Sequence, residues 1–413
     1  MPISSSPSPA SRTAPGTSQR QQDESPWVAR QRQAATDAAA RRCHDDLVSG
    51  IAPAAGPGTT PGATVMAVAV LGVAAAAVLL LVWATFLPKN PVQWVGVVLG
   101  WVPVAAVMPR PARTGEAVRL DPGAFPHTHE LVASLAAEIG VRPPAGLHVS
   151  TAFGAHVMDA GWRRRRVLTV GLPLWTCLAE DERIALIGHE LGHLRSGGRV
   201  RTAVVAHAQG LLERTASLLT PLPRDAVSDF EDPRLNVARS SAVMNGVGRG
   251  VLAAVFLPAV LLLLTFERIT ARERQAHAYV ADLSAAQVAG TTAVARLLIT
   301  VANLPGLHTV ASAAVRRRED PFEALSRSRR DGARTAGEVA RARTFARTQG
   351  RRWDAAHPRD DLRLSVLEAH ATEPGVDVLA THRSLARRAE TELAGLRPAL
   401  QRALRDELLE TWM

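Results

Sequence analysis

Lysine is almost missing from this 413-residue chain, with Lys89 the only one, yet the formal net charge is +10. The excess is arginine, which points to a GC-rich coding bias rather than to a nucleic-acid surface. No nucleic-acid motif is present, so no nucleic-acid partner is expected. Aromatic residues make up only 4% against 47% hydrophobic. The apolar content is therefore mostly Ala, Val and Leu, a mixture suited to packed or lipid-facing helices. Cys43 and Cys177 are the two cysteines and lie in segments of different character, which does not suggest a disulfide framework and is compatible with a reduced compartment. No apolar stretch follows Met1, which argues against a cleaved signal peptide. The Ser, Pro, Ala, Gln and Arg content of residues 1–62 predicts a disordered tail, with room for one short helix around Trp27–Val48.

Two long hydrophobic runs follow. Residues 64–87 hold no charge over 24 positions, enough at about 1.5 Å per residue to cross a hydrocarbon core of roughly 30 Å. After PKNP comes a second, shorter apolar run at 92–108 with Trp94, Trp101 and Pro103, read as a second span. Two spans form a transmembrane hairpin (63–109) in a multi-pass protein of the cell membrane. Arg110, Arg113, Arg119 and Arg163–Arg166 then load one side, against Lys89 in the connecting turn, and the positive-inside rule assigns that side to the cytoplasm. Arg163–Arg166 reads foremost as a solvated turn that helps to set this topology.

Residues 110–200 read as mixed α/β, with a helix at His129–Ile139 and strand-like stretches around Leu147–Thr151 and Val167–Val170. A further helix opens near Ala179–Glu182, where acidic residues complement the helix dipole. Residues 201–269 form a hydrophobic or amphipathic insertion. It either crosses the membrane twice or forms a shallow hairpin, the latter favoured by Glu213 and Arg214 in mid-segment. Residues 270–370 read as a second helical part of the same domain. Residues 371–413 read as a C-terminal helix with Leu385, Leu393, Leu396, Leu400 and Leu404 at near-helical spacing.

The chemistry concentrates in HELGH at 189–193. Histidines at i and i+4 share one helix face, so His189 and His193 can ligate one Zn²⁺, and Glu190 between them can take a proton from an attacking water. The same pattern also occurs on solvated surface helices. Here Gly188 and Gly192 flank the glutamate, each at a cost of about 1 kcal/mol against alanine, which suggests close approach of a strand or substrate.

The stretch TVGLPLWTCLAEDERIALIGHELGH resembles the HtpX-like membrane zinc metallopeptidases, relatives of the CAAX prenyl endopeptidases. The resemblance covers roughly residues 64–370. It implies a mainly α integral-membrane protein in which a zincin-like α+β domain, with a small sheet and an HExxH helix, follows a transmembrane hairpin. It also implies one zinc ion per chain, a protein or peptide substrate and contact with the lipid bilayer. The family's third ligand is a glutamate four residues before an aspartate. In RQAHAYVADLSAAQVAG, Asp282 matches the aspartate, while Ala278 holds the glutamate's place.

His277 beside it is the expected substitute, although one helical residue, about 100°, separates it from that face. Glu273, Glu267 or a site short of a ligand are the alternatives. Asp282 is expected to accept a hydrogen bond from a ligand histidine. AHPRDDLRLSVLEA resembles the family's late His-Pro segment and implies that His357 and Arg363 donate to the oxyanion. The function implied is a membrane metalloendopeptidase with Glu190 as general base. A catalytically impaired scaffold is the alternative.

Overall fold

In the computed structural model, which describes residues 26–50, 61–87, 90–107, 117–160, 165–195, 199–219, 238–331, 344 and 357–410, the chain is mostly helical with one small mixed sheet. Helix α1 (Pro26–Val48) coincides with the short helix expected around Trp27–Val48 within the stretch otherwise read from composition as a tail. Its buried positions Ala39, Ala40, Cys43 and Leu47 recur at helical spacing and anchor it to the body. The remainder of the expected tail lies outside the described residues, apart from 49–50 and the first residues of the next helix.

Helix α2 (Pro61–Thr85) is 25 residues long and apolar enough to cross a membrane, and most of its side chains face outward. Helix α3 (Pro91–Val107) folds back on it, with Trp101 Nε1 donating to Thr85 Oγ1 at 3.4 Å.

The sheet comprises β1 (Val118–Leu120), β2 (Gly146–Ser150), β3 (Ala155–Ala160) and β4 (Arg165–Gly171) in the order β1-β2-β4-β3. Strand β2 runs parallel to β4 and the other pairs are antiparallel, with Val149 opposite Val170 and Val157 opposite Leu168. Helix α4 (Pro126–Ile139) separates β1 from β2. Helices α5 (Leu172–Cys177) and α6 (Glu180–Arg195) follow β4. Alternating burial in β2 places Leu147 and Val149 in a core shared with α4, α5 and α6.

Helix α7 (Arg199–Leu219) and helix α8 (Ala238–Ala289) come next, and α8 runs without interruption across the boundary expected near residue 270. Ala67 and Val70 of α2, Val205, Ala208 and Leu212 of α7, and Leu263 and Phe266 of α8 form a separate apolar cluster. Helices α9 (Thr291–Ala302) and α10 (Leu304–Arg316) meet at 57° around Asn303 and line the main core, and α11 (Pro321–Asp331) adds Phe322 and Leu325.

Helix α12 (Asp360–Ala369) precedes two helices, α13 (Val376–Ala394) and α14 (Arg397–Glu410), where one was expected. The leucine stripe of α13 and α14 is core: Leu385, Leu393, Leu400 and Leu404 are all buried. Glu392 of α13 also accepts hydrogen bonds from the first backbone amides of α4, His127 N at 2.8 Å and Thr128 N at 2.9 Å. It thereby caps a helix whose own N-cap, Phe125, has no capping side chain.

The two glycines of the HELGH segment serve a helix, not a strand or a substrate. A Cβ on Gly192 would stand 2.7 Å from Ala281 Cα and 2.9 Å from Ser284 Cβ, and one on Gly188 would stand 3.1 Å from Ala285 Cα. Close packing of α6 on α8 therefore depends on both. Gly192→Ala is expected to destabilise the protein by about 1–3 kcal/mol through overpacking, despite a helix-propensity gain of about 1 kcal/mol. Thermal unfolding in detergent checks this, and a raised midpoint would contradict the packing account.

Candidate active site

Helix α6 is held firmly at its start. Ala179 N donates to Glu182 Oε2 at 3.1 Å in the manner of a capping box. Arg383 of α13 grips Asp181 through Nε and Nη2 at 2.6 and 2.8 Å, Arg387 reaches Glu180 at 3.1 Å, and buried Arg183 reaches Glu390 at 3.0 Å. One turn further on, every residue from Ile184 to Gly192 is buried. His189 is 1% exposed and Glu190 5%, so the motif lies on a core helix and not on a solvated one.

Among the described residues, the structure gathers one group of three imidazoles, His189, His193 and His357, with one ring nitrogen of each lying within 4.8 Å of the others. His189 Nε2 and His193 Nε2 are 3.2 Å apart. Two nitrogens at 2.0–2.1 Å from a tetrahedral zinc would be separated by about 3.3 Å. His357 completes the triangle, its ring centroid 5.6 Å from that of His189 and 5.7 Å from that of His193.

Asp282 on α8 orients this group. Its Oδ1 accepts from His189 Nδ1 at 3.0 Å, which leaves Nε2 with its lone pair turned to the cluster. The same carboxylate accepts from Arg363 Nε at 2.8 Å and Nη2 at 2.7 Å, a bidentate pair in which both partners are buried. Burial pushes the His189 pKa down to about 4, against the opposing pull of Asp282. Burial, followed by the neighbouring His189 and His357, holds His193 well below the usual histidine range. Both imidazoles are therefore neutral at pH 7, the form that binds metal. Burial acts to raise the Asp282 pKa, but the Arg363 charge and the hydrogen bonds from Arg363 and His189 overcome it and hold it well below the usual carboxylate range.

The family model for peptidase family M48 matches residues 123–371, from just after β1 to just past α12. The chain belongs to peptidase family M48. Membership indicates zinc metallopeptidase activity on protein or peptide substrates. No curated protein and no solved structure matches the chain.

Within this M48 domain the predicted site residues fall in two groups. His189, Glu190, His193, Asp282, His357 and Arg363 converge, whereas His277 stands outside the imidazole group. On α8 it lies one turn before Ala281, the residue that abuts Gly192, and the one-residue offset from position 278 is not absorbed by any bulge. Ala278 itself is buried and carries no donor atom. His357 stands beside the His189 and His193 imidazoles, and Arg363 makes two hydrogen bonds to Asp282.

A further functional group is invisible to motif reading because it is backbone. Val157 N on β3 donates to Glu190 Oε2 at 3.0 Å and so holds the M48 glutamate against the edge of the sheet.

Replacing Asp282 with Asn would strand the buried Arg363 charge. Asp282→Asn is expected to cost about 3–5 kcal/mol of stability and to weaken metal binding by roughly 10–100-fold. Calorimetry and chelator competition measure the two effects. The pH dependence has a definite sign. The unfolded chain protonates His189 near its ordinary value, whereas the folded chain resists until about 4. Stability of the metal-free protein is therefore full above roughly pH 6.5 and falls as the pH drops from there towards 4. A denaturant midpoint that rose over this interval would contradict the neutral, buried assignment.

Proposed function

We propose that this M48 chain is a membrane-embedded zinc endopeptidase whose metal is held by three histidines, His189, His193 and His357. The observation that carries the reading is the convergence of these imidazoles beside Glu190, on a helix buried in the core. The donor set fits zinc. His189 and His193 offer neutral nitrogens at near-tetrahedral spacing, one of them oriented by a carboxylate, and with His357 as third ligand a fourth position is left for water or substrate. His357 supplies the donor that Ala278 lacks.

Zinc bound here supplies Lewis acidity that polarises the scissile carbonyl and brings the pKa of the attacking water towards about 7. The chain's own residues do the rest. Glu190 takes the proton from the water as its oxygen bonds to the carbonyl carbon. It then passes that proton to the amide nitrogen as the C–N bond breaks. Val157 N–H fixes the carboxylate for this task. Strand β3 forms one edge of the sheet, and the outward amide of Val157 marks the side on which an extended substrate can add as a further strand beside Glu190. Asp282 holds His189 in the tautomer that presents Nε2, and Arg363 keeps Asp282 ionised.

The packing of α1 supports the membrane reading. Helix α1 lies against α8 and α12, with which Leu120 shares the main core, and this favours residues 48 and 117 on one side of a membrane. The connecting stretch must then cross it an even number of times, so α2 and α3 both cross or neither does. The outward apolar face of α2, with Val65, Val73, Leu79 and Trp83 all more than half exposed, favours crossing. Helix α3, at 17 residues and about 26 Å, is short for a span and suits a locally thinned or tilted arrangement. Arginines at 110, 113 and 119, against Lys89 in the turn, favour a site on the cytoplasmic side.

Caseinolysis and metal analysis of the purified protein test the mechanism. Glu190→Gln is expected to lower cleavage at least 100-fold while keeping zinc. His357→Ala should lose most of the zinc, and His277→Ala should keep it. Equal cleavage by wild type and Glu190→Gln would overturn the mechanism. Full zinc in His357→Ala, or loss of zinc in His277→Ala, would overturn the ligand set.

A further inference from the structure

We propose that helix α1, which lies outside the segment matched to the family, is a clamp that positions His357 and Arg363. On this view the segment preceding the membrane hairpin is part of the active-site machinery.

The contacts of α1 fall on two short stretches of chain. Cys43 and Leu47 pack against Tyr279 and Val366 in a small cluster of their own, with Ala276, Leu283 and Leu362 at its rim. Polar ties reinforce it. Tyr279 Oη donates to Ala40 O at 3.2 Å, Cys43 Sγ to Arg272 O at 3.4 Å and Arg272 Nη2 to Asp46 Oδ2 at 2.8 Å. On the other stretch His44 Nε2 lies 3.1 Å from Ser365 Oγ, and His370 Nε2 lies 3.0 Å from Leu47 O.

These stretches are the ones that carry the site. Tyr279 and Leu283 flank Asp282 on α8. Leu362, Ser365 and Val366 flank Arg363 on α12, whose first residue, Asp360, is three positions after His357. Helix α1 therefore presses α12 against α8 on the far side of the Asp282–Arg363 pair.

Helix α12 needs such a partner. It has ten residues, and helices shorter than about 12–15 residues are marginal unless packed. Leu364 and Leu367 bury one of its faces in the main core, and Val366 buries another against α1. Without α1 the second face would be open to water. Both His357 and Arg363 would then lose the rigidity of the helix that carries or adjoins them, and displacement by about 1 Å is enough to cost roughly 100-fold in catalysis. Because Cys43 and Leu47 belong to their own cluster and not to the main core, the clamp can be released without dismantling the sheet.

The test uses full-length protein in detergent, comparing wild type, Leu47→Glu and Leu47→Met by hydrogen exchange and zinc competition. In Leu47→Glu, amides of 360–369 should exchange at least tenfold faster while those of β2 and β4 stay protected. Zinc should bind at least tenfold more weakly, and kcat should fall with KM little changed. Leu47→Met should restore all of these. Unchanged exchange in α12 would overturn the proposal. So would faster exchange that spread equally to β2 and β4, or a loosened α12 with unaltered zinc affinity. The zinc and kinetic readouts rest on the metallopeptidase reading. If Glu190→Gln proved inconsequential, that reading would fail, and the exchange pattern of α12 would still decide whether α1 is a clamp.

Discussion

Asp282 is a carboxylate with 1% exposure, and it keeps its charge because Arg363, itself fully buried, meets it with two hydrogen bonds. An unpaired charge at such a position would cost several kcal/mol and would protonate instead. The pair constrains the rest of the domain. Asp282 reaches His189 only because α8 lies close against α6, which glycines at 188 and 192 allow. Arg363 reaches Asp282 only because α12 is wedged between the core and α1. The ion pair thus joins the HELGH helix, the long helix that continues from the apolar α7–α8 region, and the segment that brings His357. Ion pairs from α13 to Glu180 and Asp181 then fix the start of the HELGH helix from outside.

Much of this was legible in the sequence because local patterns specify local elements. The charge-free run at 64–87 reads as a spanning-length helix, and the i, i+4 histidines after an acidic turn read as a metal-binding helix. The leucine spacing at the C-terminus reads as a packed face. Helix α1 was legible as a short helix, but its docking on the body was not, since its apolar stripe is only four positions wide and is set in polar sequence. The glycines of HELGH signalled a close approach, but not that the approaching element is a helix almost a hundred residues away.

The site was legible residue by residue but not in its pairings. His357, Arg363 and Asp282 could each be singled out, yet no periodicity tells that Arg363 belongs to Asp282 or that His357 stands beside His189. These are contacts across 81 and 168 positions of chain. The preference for His277 came from keeping the third ligand on the helix where the family places it. An alanine at 278 has a second meaning, because the space of a missing glutamate side chain can be filled from another element. The role of Val157 could not be read at all, because a backbone N–H has no signature in a sequence.

The central claim is that three imidazoles, the third from His357, hold the metal. X-ray absorption at the zinc K-edge on the zinc-loaded protein addresses this directly, since histidine rings produce outer-shell scattering that carboxylates and water do not. Three imidazole ligands in the wild type and two in His357→Ala are the expected result. Two imidazoles in the wild type, or an unchanged spectrum in His357→Ala, would contradict it.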